Sequence, residues 1–242
     1  MQTLESIKLD RKAATDKIAA NWQTLLAEVD QATSVAGRSV GDVQVIGVSK
    51  YVDAEITGLL VDAGCRHLGE NRPQVLCEKA ESAEMVGRAS WHQIGHLQRN
   101  KVRPTLRHVH MIHSVDSERL LQAIASEAVK QQRTVACLLE VNISGDANKT
   151  GLDVPSLERL LLEVPKSGVR VAGLMAMAGW GTEADAAQRQ FAAVRELRDR
   201  MQAEFALPLP ELSMGMSGDF QAAITEGSTM VRIGTRLFDG LW

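Results

Sequence analysis

A lysine at the end of a buried-strand pattern is the first residue whose position suggests chemistry. Residues 43–50 form a β-branched apolar run that ends in Ser49 and Lys50, and Asp53 then begins a helix pattern. Ligands bind at the carboxyl ends of strands in α/β barrels and in open α/β sheets. Where such a position is partly desolvated, a lysine amine can act as a Schiff-base nucleophile. This stretch alone leaves open the alternative of a solvated lysine beside a strand.

Two glycine loops late in the chain are suited to holding a phosphate group. Gly215-Met216-Ser217-Gly218 and Ile233-Gly234-Thr235 follow the last two predicted strands, and a short helix is predicted over 219–226. Barrel enzymes often bind phosphate with these two loops and the start of a short helix. Glycine lets the backbone approach an anion, helix N–H groups favour negative charge, and Ser217 and Thr235 add hydroxyl donors. Glycines that merely end strands remain the alternative explanation of each loop taken alone.

Arg232 lies two residues before Gly234 in the last predicted strand, so both residues point to the same face of the sheet. If that face is the interior of a barrel, the buried guanidinium needs a hydrogen-bond acceptor. The sequence leaves two candidates open: an inward carboxylate such as Glu140, or a ligand atom with a lone pair.

The histidines in the middle of the chain lack the spacing of a metal site. No carboxylate stands at H-E-x-x-H spacing and no cysteine accompanies His92, His96, His108, His110 and His113. Core or surface histidines are therefore predicted rather than metal ligands. His92 lies in a short strand near the predicted ligand-binding end of the sheet, which makes it the one candidate for acid–base chemistry.

Residues 85–115 contain no acidic side chain. This basic stretch carries Arg88, Arg99, Lys101, Arg103 and Arg107, which predicts a solvated basic face. The sharper alternative is a surface that binds an anion, such as a second cofactor molecule, or a partner. Nucleic-acid binding is not favoured, because aromatic residues make up only 4% of the chain and no stacking platform interleaves the basic residues.

The composition restricts the protein class further. The formal net charge of −3 gives no general attraction to nucleic acid or to anionic membranes. The first twenty residues are charged and lack the apolar core of a signal peptide. The longest uncharged apolar run, over 171–181, is far shorter than a membrane span. Scattered Cys65, Cys77 and Cys137 fit buried thiols in a reducing compartment, so a cytoplasmic protein is predicted.

The elements that must position these residues alternate strictly between strand and helix. A helix over 4–36 comes first, and eight predicted strands follow with helices between them. The last strand is predicted over 230–238, and Thr182 is predicted to cap the helix that ends before Pro208. This pattern predicts an α/β fold: a single (β/α)8 TIM-type barrel with an extra N-terminal helix, forming one domain over 1–242. A doubly wound open sheet is the alternative, but no dinucleotide glycine fingerprint supports it.

A series of stretches resembles the pyridoxal phosphate homeostasis protein family, whose members are like the barrel domain of alanine racemase without its second domain. The resemblance runs in order through the chain after the first helix. The matching stretches are Gly47–Lys50, Leu68–Asn71, Trp91–Gln98 with Asn100-Lys101, Val141–Ile143, Gly173–Met175, Leu212–Ser217 and Gly227–Thr235. The sequence departs from the usual family pattern at Gly218, at Asp239 and at Ala178-Gly179-Trp180.

The resemblance implies a pyridoxal 5′-phosphate (PLP) site and a role for each candidate residue. It implies that Lys50 holds PLP as a Schiff base, and that Ser217 and the backbone of Gly234 and Thr235 hold the phosphate. It places Arg232 at the pyridine nitrogen and Asn71 near the ring. Because arginine only donates hydrogen bonds, the pyridine nitrogen would stay unprotonated, which weakens the cofactor as an electron sink.

The resemblance also implies a function in intracellular PLP homeostasis. The protein is expected to be a monomeric carrier or buffer with little or no turnover, and apo forms of PLP-dependent enzymes are the partners it suggests. A PLP-dependent amino-acid racemase or decarboxylase and a partner-binding protein are the alternatives. Racemisation needs acid–base groups on both faces of the substrate. If the first strand continues to Tyr51, this tyrosine turns away from the barrel mouth, which leaves His92 as the substitute for the second group.

Overall fold

The barrel is built from parallel strands that are paired in chain order. The computed structural model describes residues 1–7, 10–143, 150–179 and 183–242. Within these ranges the strands are β1 (Gln44–Val48), β2 (His67–Glu70), β3 (Ser90–Gln93), β4 (Val109–Val115), β5 (Val135–Glu140), β6 (Val169–Met175), β7 (Glu211–Ser213) and β8 (Met230–Ile233). Strand β8 pairs with β1 and closes the sheet, which confirms the predicted (β/α)8 barrel.

The helices surround the strands on the outside. They are α1 (Leu4–Ile7), α2 (Arg11–Val35), α3 (Ala54–Asp62), α4 (Pro73–Glu81), α5 (Val102–Leu106), α6 (Glu118–Lys130), α7 (Val154–Leu162), α8 (Ala184–Phe205) and α9 (Phe220–Thr225), with short 3-10 helices at Arg99–Lys101 and Thr235–Phe238. In the described part of the chain, no helix combines the length and the apolar character needed to cross a membrane.

Two predicted boundaries are wrong. The helix expected over 4–36 consists of α1 and α2, because Asp10 caps α2 through its carboxylate. The last strand ends at Ile233 rather than at residue 238, because Gly234 leaves the extended conformation (φ −122°, ψ −77°) and a 3-10 turn follows. Thr182, the predicted cap of α8, lies outside the described residues.

Two apolar layers hold the barrel together. The inner layer consists of Ile46, Met111, Ala136, Leu138, Ala172, Met175 and Met230. The outer layer fills the space between the strands and the helices, so that β5 is buried along its whole length. Strands buried on both faces are typical of parallel sheets covered by helices.

The N-terminal helix α2 packs across the elements that flank the β8–β1 seam. It lies against α3, α9 and the Thr235–Phe238 turn. The amide of Asn21 donates to the carbonyl oxygens of Leu237 (3.2 Å) and Asp239 (2.9 Å). Both terminal nitrogens of Arg236 donate to the carboxylate of Glu28, at 2.7 and 2.5 Å. Helix α2 therefore fixes the chain directly after the strand that closes the barrel.

Candidate cofactor-binding site

A cavity of about 400 Å³ opens at the carboxyl ends of the strands. Its lining includes all six predicted site residues: Lys50, Asn71, Ser217, Arg232, Gly234 and Thr235. Lys50, Arg232, Gly234 and Thr235 come together because strand β8 pairs in register with β1, with Ile46 opposite Arg232 and Gly47 opposite Ile233. Asn71 and Ser217 follow the adjacent strands β2 and β7. The ends of the first and last strands thus form one wall of the cavity.

Lys50 stands in the turn that follows β1 and is half-buried. Its Nζ lies 4.9 Å from the ring centroid of Tyr51, and no carboxylate of the described residues forms an ion pair with it. The expectation that Tyr51 turns away from the mouth is wrong. Strand β1 ends at Val48, so strand alternation does not reach Tyr51, and this side chain lines the same cavity as Lys50.

A buried lysine that the sequence analysis missed holds the backbone next to Lys50. Lys79 Nζ donates to the carbonyl oxygen of Ser49 (2.8 Å), to its hydroxyl (3.2 Å) and to Glu70 Oε1 (2.5 Å). Lys79 and Glu70 are only 3% and 0% exposed. Burial lowers the pKa of Lys79, and the charge of Glu70 acts against this shift. Helical spacing is the sequence signal that could have revealed this lysine, because Lys79 continues the buried face of Val75 and Leu76 in α4.

Arg232 is 4% exposed and reaches the cavity from β8. Its Nη1 donates to the carbonyl oxygen (2.7 Å) and hydroxyl (2.6 Å) of Ser213, and its Nη2 donates to the carbonyl oxygen of Ala176 (3.0 Å). Burial lowers the pKa of Arg232 to about 10, so the guanidinium stays charged at neutral pH. These bonds leave some of the N–H donors of the guanidinium for a ligand.

Glu140, which the sequence offered as the partner of Arg232, makes a different contact. Its Oε1 accepts a hydrogen bond from the hydroxyl of Thr150 at 2.6 Å. Burial raises the pKa of Glu140, so this side chain is a weak candidate for a permanent counter-ion. The guanidinium of Arg232 is instead held by a hydroxyl and by backbone carbonyl groups.

His92 lies inside the barrel and not at its mouth, which corrects the sequence-based expectation. The side chain is fully buried and does not line the cavity. It hydrogen-bonds to His67 and to His113, and His113 bonds to the hydroxyl of Ser213. Among the residues that the structure describes, no group of histidine, cysteine or carboxylate side chains is arranged to hold a metal ion.

The phosphate end of the predicted site is formed by two hydroxyl groups and a tight turn. The hydroxyl of Thr235 donates to that of Ser217 at 3.1 Å, which joins the loops after β7 and β8. Gly215 adopts φ +87°, and a Cβ there would lie 2.6 Å from the Cβ of Ala223, so only glycine fits this turn. In the described part of the chain, the backbone N–H groups of Ser217 and Gly218 have no acceptor.

The start of α9 contributes less to this end than predicted. The backbone N–H groups of Asp219 and Phe220 are already bonded to the carbonyl oxygen of Met216, at 3.2 and 3.0 Å. The carboxylate of Asp219 accepts from the N–H of Met216 at 2.6 Å. Asp219 and Phe220 therefore offer no free backbone donor to an anion, whereas the N–H groups of Ser217 and Gly218 remain available.

The donors and acceptors of the cavity fit a phosphorylated pyridine aldehyde. A lysine amine, two hydroxyls with free loop N–H groups and a guanidinium line one space. Asn71 adds a buried Oδ1 that has no donor among the described residues. Such an unpaired acceptor is costly unless a ligand or water donates to it. The aldehyde, the ring and the phosphate of PLP each find a group of matching chemistry here.

The basic stretch does not form one surface free of acids. Arg88 pairs with Asp62 at 2.5 Å, and Arg103 lies 4.0 Å from Glu127. Arg99 lines a separate depression together with Asp116. These contacts favour the interpretation of the basic stretch as a solvated surface. An additional anion-binding site on this stretch stays a prediction.

Comparisons with known proteins place the chain among barrels of this kind. The family described as alanine racemase, N-terminal domain, matches residues 14–240. The pyridoxal phosphate homeostasis protein of Aquifex aeolicus is 38% identical over 217 residues, which is 88% of this chain and 94% of the relative. That of Deinococcus radiodurans is 40% identical over 88% of this chain and 97% of the relative. The structure of PipY from Synechococcus elongatus with PLP bound is 34% identical, with a TM-score of 0.80 over 91% of this chain and 99% of that one.

Proposed function

The chain belongs to the pyridoxal phosphate homeostasis protein family, and from this premise we propose that it holds pyridoxal 5′-phosphate covalently on Lys50 as an intracellular carrier or buffer of the cofactor. The observation that carries the proposal is the shared cavity: the Lys50 amine, the Ser217–Thr235 hydroxyl pair and the Arg232 guanidinium line one space of about 400 Å³.

Each predicted site residue, together with Lys79 behind the cavity, has one task in this proposal. PLP supplies an aldehyde that condenses with a lysine amine and releases water. Ser217, Gly234 and Thr235 donate hydrogen bonds to the phosphate, and Arg232 donates to the pyridine nitrogen. The buried Oδ1 of Asn71 accepts from a group on the ring side. Lys79 keeps the backbone of Ser49 in place, so the amine of the next residue stays directed into the cavity.

We propose that turnover is slow or absent. An arginine beside the pyridine nitrogen donates only, which weakens the ring as an electron sink. Tyr51 lines the cavity and is the one observation that favours the racemase alternative. Its ring centroid lies 4.9 Å from Lys50 Nζ, and racemisation would need the tyrosine hydroxyl on the face of the substrate opposite Lys50. Formation of D-amino acids at roughly 1 s⁻¹ or faster would support the enzyme instead.

The same proposal extends to compartment, partners and assembly. Cys65 and Cys137 are free thiols whose pKa burial raises to about 12, which suits a reducing cytoplasm. The rim residues Tyr51, Met177 and Met216 are 41%, 40% and 39% exposed, so the cofactor has an open route out of the cavity. We expect a monomer that passes PLP to apo forms of PLP-dependent enzymes.

Borohydride reduction of the loaded protein tests the central claim. Reduction makes the bond between the amine and PLP permanent, and peptide mass mapping is expected to find the pyridoxyl adduct on the peptide that contains Lys50. Lys50→Met is expected to lose the adduct, whereas the control Lys130→Met, at a lysine of α6 that is 69% exposed, is expected to keep it. An adduct confined to another lysine, or none on the loaded wild type, would contradict the proposal.

A further inference from the structure

A chain of hydrogen bonds crosses the inside of the barrel from Arg232 toward the amino ends of the strands. Arg232 Nη1 lies 2.6 Å from Ser213 Oγ, and Ser213 Oγ lies 2.9 Å from His113 Nδ1. His113 Nε2 lies 2.8 Å from His92 Nδ1, and His92 Nε2 lies 3.0 Å from His67 Nδ1. His67 is the first residue of β2 and is half-buried. The proposed function does not use these histidines.

The chemistry of the side chains fixes the direction of donation along this row of hydrogen bonds. Arginine cannot accept, so Ser213 Oγ accepts from Arg232. The hydroxyl hydrogen of a buried serine needs an acceptor of its own, and His113 Nδ1 lies within reach. His113 must then carry its hydrogen on Nε2 and donate to His92, and His92 must likewise donate from Nε2 to His67.

The surroundings keep these histidines neutral, as this direction requires. Burial lowers the pKa of His92 and His113 well below the ordinary value of 6.5. The neighbouring His113 adds to the shift of His92, and the Arg232 charge adds to that of His113. Burial also lowers the pKa of His67, with a contribution from His110 nearby. The ring centroids of His67 and His110 are 6.1 Å apart.

We propose that His113 is a positioning residue for the cofactor: through Ser213 it fixes the guanidinium of Arg232 against the pyridine ring, and His92 and His67 fix the tautomer of His113. The proposal rests on PLP occupying the cavity as described above. Its alternative is a set of histidines that only fills polar space in the barrel. In that case the cofactor would not respond to changes at His113.

Nuclear magnetic resonance of the apo protein tests the direction without any cofactor. With 15N-labelled histidine at pH 7.5, long-range proton–nitrogen correlations distinguish the two neutral tautomers. All of His67, His92 and His113 are expected to carry the hydrogen on Nε2. A mixed set, with any of the three carrying it on Nδ1, would overturn the proposal even if PLP binds normally.

Variants of the loaded protein test the effect on the ring. His113→Leu removes the acceptor of the Ser213 hydroxyl, so it is expected to shift the visible absorption band of bound PLP and to weaken binding roughly tenfold. His113→Asn offers an amide oxygen near the position of Nδ1. It is expected to return the absorption band most of the way to its wild-type position. Ser213→Ala, a smaller change, should reproduce the shift if the leucine variant folds poorly.

The control and the contrary outcomes are distinct from those of the proposed function. His108→Leu changes a histidine on the outside that contacts Glu81, and it should leave the band and the dissociation constant unchanged. A wild-type band that persists unchanged in folded His113→Leu and Ser213→Ala overturns the inference alone. A wild type without any PLP band contradicts the proposed function. The histidine tautomers of the apo protein still test the direction of the hydrogen bonds in that case.

Discussion

At the scale of single residues, the buried ion pair between Lys79 and Glu70 is the contact whose loss is expected to lower stability strongly. Lys79→Met leaves Glu70 charged and buried without its partner, so the free energy of unfolding is expected to fall by about 3–5 kcal/mol. Urea unfolding at pH 7 measures the loss. In the double variant Lys79→Met/Glu70→Leu, no charge stays unpaired, and much of the stability should return. A loss below about 1 kcal/mol in the single variant would show that water reaches the pair.

The phosphate hydroxyls provide a second test at this scale. If Ser217 binds the phosphate as proposed, Ser217→Ala removes one hydrogen bond to a charged group, which is worth about 1.5–3 kcal/mol. The dissociation constant of PLP is therefore expected to rise while that of pyridoxal, which lacks the phosphate, stays nearly the same. Ser34→Ala is the matched control, because the Ser34 hydroxyl bonds only within α2, to the carbonyl oxygen of Asp30. Equal losses for both ligands would place Ser217 away from the phosphate.

Residue positions could be predicted where local pattern alone decides them. Lys50 was found because an apolar run of strand length ends beside it. The contact between His113 and Ser213 was not found, because the two residues are 100 positions apart and no local spacing relates them. Tyr51 was misplaced because strand alternation was extended past Val48, where β1 ends.

At the scale of elements, the pairing of β6 with β7 depends on one glycine. A Cβ on Gly173 would collide with the carbonyl oxygen of Glu211, its partner in register. Because the obstacle is backbone, Gly173→Ala is expected to cost about 3 kcal/mol or to prevent folding, as measured by thermal unfolding. Gly58→Ala makes the same change inside α3, where the nearest atom would lie at 3.6 Å, and should stabilise the helix slightly. Similar melting temperatures for both variants would contradict this account.

The order of elements followed from hydrophobic patterns, and the final turn shows where such patterns fail. Leu237 and Phe238 are buried apolar residues after β8, so the apolar pattern predicts a longer strand. In the structure they belong to the 3-10 turn that α2 covers. Hydrophobicity reports burial, and it does not say whether a sheet or a helix provides the cover.

At the scale of the whole molecule, the buried histidines determine how the free energy of unfolding changes in acid. In the folded state the pKa values of His67, His92 and His113 are lowered, whereas in the unfolded chain they return to about the ordinary value of 6.5. The unfolded state then binds more protons below that value, so stability is full above pH 6.5 and falls as the pH decreases. Each histidine contributes up to about 1.4 kcal/mol per pH unit.

Urea unfolding at pH 7.5 and at pH 5.5 checks this dependence. The unfolding midpoint is expected to be clearly lower at pH 5.5. The raised pKa of Glu140 acts in the opposite sense, since the folded state favours its protonated form, but one carboxyl opposes three histidines. A midpoint that is constant between the two pH values would mean that the histidines titrate normally in the folded protein.

The seam between β8 and β1 also determines when the cofactor site comes into existence during synthesis. Lys50 follows the first strand, whereas Arg232 and Gly234 belong to the last, so the ribosome releases the two walls of the cavity at opposite ends of translation. Closing such a long loop is slow and entropically costly. In the proposed mode of binding, a nascent chain would expose Lys50 before the phosphate loops are made, and it could retain the cofactor only after the barrel has closed. A cofactor held in this way would join the first strand to the last and oppose reopening of the seam.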